Sequence, residues 1–357
     1  MNHMILAINP GSTSTKIALY ENEKELFRET LDHSVEEIEK YSKVEEQFEM
    51  RKNIVIEVLK NHGYDVSILS AVVGRGGMLP PVHAGGYLVN QCMKDRIIKG
   101  PIRSHASNLG ALIAASIAEP LQIPAYIYDA VSSDELKEVA KVTGIPEIVR
   151  QSFCHVLNSK ATARKVAESH GKRYDEMNFV VAHMGGGISV SAHEKGRIVD
   201  VITDDAGPFS PERSGSIPLL YIVDLCYSGK YKKKEMLKKL RGMGGIKAHL
   251  GTHDLREVEK MISDGNEKAK LIFEAQAYQI VKGIGELSPV LKGNIDAIIL
   301  TGGLAYSKKL TQRITEYVGF IAPIEIVPGE NELESLAFGA LRILRGEESV
   351  NEYVDFI

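Results

Sequence analysis

Cysteine is scarce in this 357-residue chain: Cys92, Cys154 and Cys226 stand far apart and form no CxxC pair. That spacing argues against both a zinc knuckle and a disulfide-built scaffold. Long apolar runs are also missing. No stretch approaches the roughly 20 apolar residues that a spanning helix requires. The chain enters a strand almost at once, without a basic segment leading into a long apolar one, so neither a signal peptide nor a membrane partner is expected. The expected compartment is the cytoplasm. Nor is there an excess of one charge sign. With 43 Lys and Arg against 47 Asp and Glu, the net charge is −4, which speaks against a nucleic-acid partner, because such binders are usually basic. Neither GxxxxGK[ST] nor GxGxxG occurs, so P-loop and Rossmann nucleotide sites are not expected.

What remains is an ordinary globular balance, 44% hydrophobic and 25% charged, at a length that suggests about two domains. Residues 4–9, 16–20 and 24–31 read as three short strands joined by tight turns. Residues 34–62 carry apolar residues at roughly helical spacing, with Ile54, Val55, Val58 and Leu59 on one face. A strand at 71–77 runs into a glycine turn, 107–121 reads as a helix, and 124–136 reads as strand, loop and a helix capped by Ser133. Residues 179–202 repeat the opening pattern of strand, small-residue tip, strand, turn and strand. This points to two domains of duplicated architecture, each opening on an antiparallel meander. A mostly helical stretch follows over 216–291, then strand, double glycine and helix over 296–318, and an amphipathic helix over 331–344.

Three small-residue turns draw attention. The first, Asn9-Pro10-Gly11 followed by Ser12, Thr13, Ser14, Thr15 and Lys16, offers amides, hydroxyls and a cation suited to phosphate. Taken alone it is equally an ordinary hairpin turn. The second, His183-Met184-Gly185-Gly186-Gly187, leaves the backbone bare for close approach of a ligand. The third, Thr301-Gly302-Gly303, hands a strand to a helix whose N-terminus favours anions. Together they suggest one nucleotide held between two domains. Arg75, His105, Asp129, His155 and Arg213 are polar residues in apolar or glycine-rich contexts, where a satisfied buried group or an ion pair is the competing explanation. His249 and His253 have a metal-like i,i+4 spacing, but without HExxH a helix or loop face is expected.

An ordered set of motifs resembles the acetate and butyrate kinase family of the sugar kinase, heat-shock chaperone and actin superfamily. It comprises "NPGSTSTK" (9–16), "GRGG" (74–77), "SHASN" (104–108), "YDAV" (128–131), "FCH" (153–155), "HMGGG" (183–187), "ERSGS" (212–216), "THDLR" (252–256), "TGGLAYS" (301–307) and "NELESLA" (331–337). The resemblance implies an α/β fold of two duplicated domains with mixed five-stranded sheets, flanking helices and an ATP cleft between them. The domains would span 1–150 with a returning segment 335–357, for the acyl substrate and phosphate, and 151–334, for the nucleotide. The implied reaction is reversible phosphorylation of a small carboxylic acid by ATP and Mg²⁺, giving an acyl phosphate and ADP, in a homo-oligomer (a dimer or larger). By resemblance, Arg75 and Arg213 flank the transferring phosphoryl group, with His155 donating to its oxygens and Asp129 beside it. Asn9 and Glu332 match the magnesium positions, with Glu334 as the fallback. Ser12, Ser14 and Lys16 line the phosphate side, His183, Gly185 and Gly187 bracket the ATP phosphates, and Asp254, Arg256, Gly302 and Gly303 hold the adenosine end.

Gly186 replaces the asparagine of the HxGNG form common in acetate kinases, which points to the butyrate branch. Gly77, Ser104 and Cys154 stand where acetate kinases tend to carry bulky apolar residues, implying room for a longer acyl tail unless other side chains refill it. The near rival within the family is an acetate, propionate or branched-chain fatty acid kinase, and two readings of other classes stay open, a non-enzymatic ATP-driven switch and a small-sugar kinase that would use Asp129 as a base.

Overall fold

The computed structural model describes residues 2–100 and 105–355. The chain forms two compact units, Met1–Asp134 with Asn331–Ile357, and Glu135–Glu330. Residues 135–150 thus group with the second unit, and 331–334 with the first, in place of the expected boundaries.

In the first unit, β1 (Met4–Pro10), β2 (Ser14–Glu21) and β3 (Lys24–Asp32) form the expected meander. β4 (Ala71–Arg75), β5 (Gly86–Leu88) and β6 (Ala125–Tyr128) extend it. The sheet runs Asn351–Glu352, β5, β6, β4, β1, β2, β3. It has seven strands where five were expected, because the two short strands at one edge join it. β1, β4 and β6 are parallel neighbours, and β2 and β3 pair antiparallel beyond β1.

Alternation decides what each face meets. Leu6 and Ile8 of β1 and Val72 of β4 are fully buried in a core with Val55 and Leu59 of helix Phe48–Asn61 and Leu109 and Ile113 of helix Asn108–Ala118. Helix Glu332–Leu344 belongs to this unit and packs on β1, β2, β4 and β6. Gly74 and Gly110 let β4 and helix Asn108–Ala118 meet backbone to backbone. A Cβ on Gly110 would lie 2.9 Å from the Arg75 nitrogen. Ser133 does not cap a helix. The next helix starts at Glu138 after Lys137, and the Ser133 N–H closes a turn on the Ala130 carbonyl.

The second unit repeats the plan with β7 (Asn178–Met184), β8 (Ile188–Glu194), β9 (Arg197–Ile202), β10 (Ala297–Gly302) and β11 (Ile324–Pro328), in the order β11-β10-β7-β8-β9. β4-β1-β2-β3 and β10-β7-β8-β9 have the same pairing, parallel then antiparallel twice, which is the duplication read from the sequence. Val180, Ala182, Ile298 and Leu300 point into a core with Ile280 and Ile284 of helix Glu267–Leu287. Phe179, Val181, Ala297 and Ile299, one residue out of phase, pack with Ala163 and Val166 of helix Val156–Ser169 on the other face. Among the described residues no helix is long and apolar enough to cross a membrane.

Candidate active site

The parallel strands of the first unit deliver three of the expected residues at their C-terminal ends, where open α/β sheets bind ligands. Asn9 lies near the end of β1, Arg75 ends β4, and Asp129 follows β6 directly. Arg75 Nη1 stands 3.0 Å from Glu332 Oε1 and donates to Asn9 Oδ1 at 3.4 Å. The Asn9 amide in turn donates to Glu332 Oε2. Glu332 opens helix Glu332–Leu344, and it is this carboxylate that reaches Asn9 and Arg75. Nε and Nη2 of Arg75 take no acceptor among the described residues, so most of the guanidinium fork stays uncommitted. Asp129 is buried with a left-handed φ of 41°, a strained backbone for a non-glycine residue. Its Oδ1 accepts from the Gly85 N–H at 2.9 Å, and its own N–H donates to the Gly85 carbonyl at 3.1 Å. Ser12 is exposed and Ser14 half-buried at the hairpin tip, and Lys16 stands opposite Asn9 in the β1–β2 register.

The acyl-tail residues are less simply placed. A Cβ on Gly77 would lie 2.7 Å from the Asn108 Cα, so packing against Asn108 requires glycine there. Asn108 also accepts from the Met78 N–H at 2.8 Å. The space beside Gly77 is therefore taken, and no acyl room is read from it. Cys154 is buried in the second unit with Leu136, Val156, Ile198 and Val201, and burial pushes its thiol up to about 12. Ser104 lies outside the described residues. His105 Nδ1 accepts from the Ser107 N–H at 3.1 Å, a local turn contact.

In the second unit the His155 and His183 rings stack, with centroids 3.8 Å apart and planes at 9°. His155 Nδ1 meets Ser189 Oγ at 2.8 Å. The Asn158 amide donates to His183 Nδ1 at 2.9 Å, which assigns the ring proton to Nε2. That nitrogen lies 3.3 Å from Glu330 Oε1. Gly185 and Gly187 close the turn through an N–H to carbonyl bond of 3.0 Å, and Gly186 is exposed. A Cβ on Gly187 would fall inside the Arg213 guanidinium, so the glycine lets Arg213 lie across the turn. Arg213 is paired with Asp204, which Arg241 Nη2 also contacts at 2.5 Å. Burial, and then the neighbouring Arg241, push the Arg213 guanidinium down to about 10, so it stays protonated at neutral pH. Gly302 has a φ of 88° and exchanges backbone bonds with Gly329, while Gly303 opens a turn with free space around it. Asp254 caps helix Leu255–Ser263 and is paired with the exposed Arg256, whose hydrogen bonds pull its carboxyl down to about 2. His249 lies in the short helix Gly245–Leu250 beside Phe209. Among the described residues no three His, Cys, Asp or Glu side chains form a metal cage.

Residues 137–334 match the Acetokinase family. The chain is 52% identical over 350 residues to a probable butyrate kinase 2 of Caldanaerobacter subterraneus, covering 98% of this chain and 99% of that one. The chain belongs to the Acetokinase family. It is also 50% identical over 353 residues to butyrate kinase 1 of Clostridium acetobutylicum, covering 98% and 99% of the two chains. In fold it matches the crystal structure of Porphyromonas gingivalis acetate kinase, with a TM-score of 0.79 at 18% identity over 96% of this chain and all of that one (100%).

Within this Acetokinase family chain, several site neighbours carried no sequence signal. Asp204, Ser189, Asn158 and Glu330 hold Arg213, His155 and His183, yet none belongs to the three small-residue turns or to an apolar period that singles it out.

Proposed function

We propose that this chain transfers the γ-phosphoryl group of ATP to the carboxylate of a short-chain fatty acid, butyrate foremost, forming an acyl phosphate and ADP reversibly. The observation that carries the reading is the 50–52% identity, over 98% of the chain, to two proteins named as butyrate kinases. The geometry supports it. Phosphoryl transfer needs alignment and charge neutralisation more than covalent help. Arg75 and Arg213 are each held by one carboxylate, Glu332 and Asp204, in a way that presents a fixed fork to phosphoryl or carboxylate oxygens. A carboxylate oxygen forms the new bond to phosphorus as the bond to the β–γ bridging oxygen breaks. The acceptor is already ionised, so Asp129 has no proton to take. Its role is to hold the turn at Gly85 beside the end of β6. His155, oriented by Ser189, donates to phosphoryl oxygens.

Ser12, Ser14 and Lys16, with His183, Gly185 and Gly187, take the ATP phosphates. Gly302, Gly303, Asp254 and Arg256 take the adenosine end. Asn9 Oδ1 and the Glu332 carboxylate are the oxygens that would hold Mg²⁺, a hard cation that favours such donors, and they would exchange for it the Arg75 and Asn9 N–H groups they accept from here. When bound, the ion neutralises phosphate charge. A cytoplasmic homo-oligomer belongs to the same reading. The oligomer is supported by helix Leu219–Tyr227, where Leu219, Leu220 and Tyr227 are each at least 77% exposed.

Butyrate carries two more methylenes than acetate, about 0.8 kcal/mol each if buried, or roughly tenfold to twentyfold in preference. The activity is checked by ADP release from ATP and Mg²⁺. Butyrate is expected to stimulate it, and glucose and glycerol are not. Stimulation by a sugar alone would move the assignment to a sugar kinase. ATP turnover indifferent to every acceptor would move it to a switch.

A further inference from the structure

Arg51 is fully buried, at 0% exposure, on helix Phe48–Asn61 behind the hairpin tip at 11–15. Its Nε and Nη2 donate to Gln47 Oε1 at 3.1 and 2.9 Å. Nη1 donates to the Ser14 carbonyl at 3.0 Å and to Thr15 Oγ1 at 2.9 Å, and Nη2 also reaches the Ser12 carbonyl at 3.3 Å. All five guanidinium N–H groups are thereby used, and every acceptor is neutral. Two more bonds fix the tip, one from the neighbouring strand end and one within the turn. The His33 N–H donates to the Thr13 carbonyl at 2.8 Å, and the Gly11 N–H to the Ser14 carbonyl at 2.7 Å. Three successive carbonyls, of residues 12, 13 and 14, are therefore tied to the protein.

A trans peptide points its N–H opposite its C=O. Drawing the Ser12 carbonyl inward turns the Thr13 N–H outward, where it has no acceptor among the described residues. The exposed Ser12 and Thr13 lie on that same outer side. Outward N–H groups on a tight turn form an anion-binding concavity. A buried guanidinium without a carboxylate on its hydrogen bonds is costly on its own. Burial pushes the Arg51 guanidinium down from its usual range, with only the charge of Glu37 opposing. An anion across the turn would supply counter-charge to this guanidinium.

We propose that Arg51 is a positioning residue for the nucleotide phosphates: it fixes the 12–15 turn with carbonyls inward and lends its charge to the anion outside. This rests on the reading of Ser12, Ser14 and Lys16 as the phosphate side. The test compares kcat, ATP KM and acid KM for Arg51→Met, Arg51→Lys and Thr15→Val. A guanidinium hydrogen-bond set is strong enough that Arg51→Met is expected to raise the ATP KM about tenfold or more. The acid KM should stay within about twofold of the wild type, since the acid is read at other residues. Arg51→Lys is expected to be intermediate, because an ammonium keeps the charge but has only three N–H groups. Thr15→Val, which leaves Arg51 in place but removes one of its acceptors together with the partner of His33 Nε2 at 2.9 Å, should raise the ATP KM by roughly twofold to fivefold. It carries the test if Arg51→Met does not fold.

A purely structural role would shrink the active fraction, lowering kcat with both KM values unchanged, and that result overturns the proposal. Ser12→Ala and Ser14→Ala separate the two readings. If they leave the ATP KM unchanged, the phosphate reading of the tip fails and the Arg51 role falls with it. If they raise it while the Arg51 and Thr15 variants do not, only the Arg51 role fails.

Discussion

Arg213→Ala and Arg75→Ala are each expected to lower kcat by about 10²–10³, the usual loss when one preorganised donor to transition-state charge is removed. The fold should survive both. Without Arg213, Asp204 keeps Arg241 at 2.5 Å, and without Arg75, Glu332 keeps the Asn9 amide. No buried carboxylate is left wholly unpaired, so the melting temperature should move by only a few degrees, while turnover collapses. Lysine at either position restores charge but not the planar fork, and should recover only part of the loss. The check is kcat from a coupled ADP assay beside a calorimetric melting curve. Near-normal turnover in both alanine variants would remove these arginines from the chemistry.

Gly110→Val is expected to damage both stability and activity, although residue 110 is not among the candidate site residues. A Cβ there would lie 2.9 Å from the Arg75 nitrogen and closer still to its carbonyl, and β4 stands between β1 and β6 in the sheet. Neither the strand nor the helix has a flexible side-chain end to move aside. Overpacking costs about 1–3 kcal/mol where side chains can give, and more where backbone meets backbone. At roughly 2–4 °C per kcal/mol for a unit of this size, the melting temperature should fall by about 10 °C or the chain should fail to fold. In the folded fraction, Arg75 is displaced from Asn9 and Glu332, and a shift of about 1 Å is worth on the order of 100-fold in rate. Gly144→Val is the matched control, since nothing stands within 4 Å of a Cβ there. A Gly110→Val protein as stable and active as the control would contradict the close packing of strand on helix.

Much of this arrangement is legible along the chain because it rests on local signals. Both meanders open on a short continuous apolar run, Met4–Ile8 and Phe179–Ala182, that is broken by glycine or turn residues before the next strand. Helices such as Glu332–Leu344 follow a 3.6-residue apolar period. The edge strands Gly86–Leu88 and Asn351–Glu352 are too short to show a period, which is why the first sheet has two more strands than expected. Ser133 sits before a helix, but the chain delays that helix to Glu138, so a cap-like residue finds no helix end to cap. Arg75 and Arg213 stand out in sequence through their glycine-rich surroundings. Asp204 and Arg51, which hold Arg213 and the hairpin tip, do not, because their partners come from tertiary placement. Gly77 shows the converse. A small residue in a motif suggests an open pocket, yet Asn108 occupies that space.

The most direct test is acyl phosphate formation from ATP and Mg²⁺, trapped with hydroxylamine, across acetate, propionate, butyrate, isobutyrate and valerate. Hydroxamate is expected with several of these acids, with a kcat/KM maximum at four or five carbons, roughly tenfold or more above acetate. A maximum at acetate would contradict the chain-length preference and leave the phosphoryl transfer intact. No hydroxamate from any acid, by protein that binds ATP, would contradict phosphoryl transfer to a carboxylate.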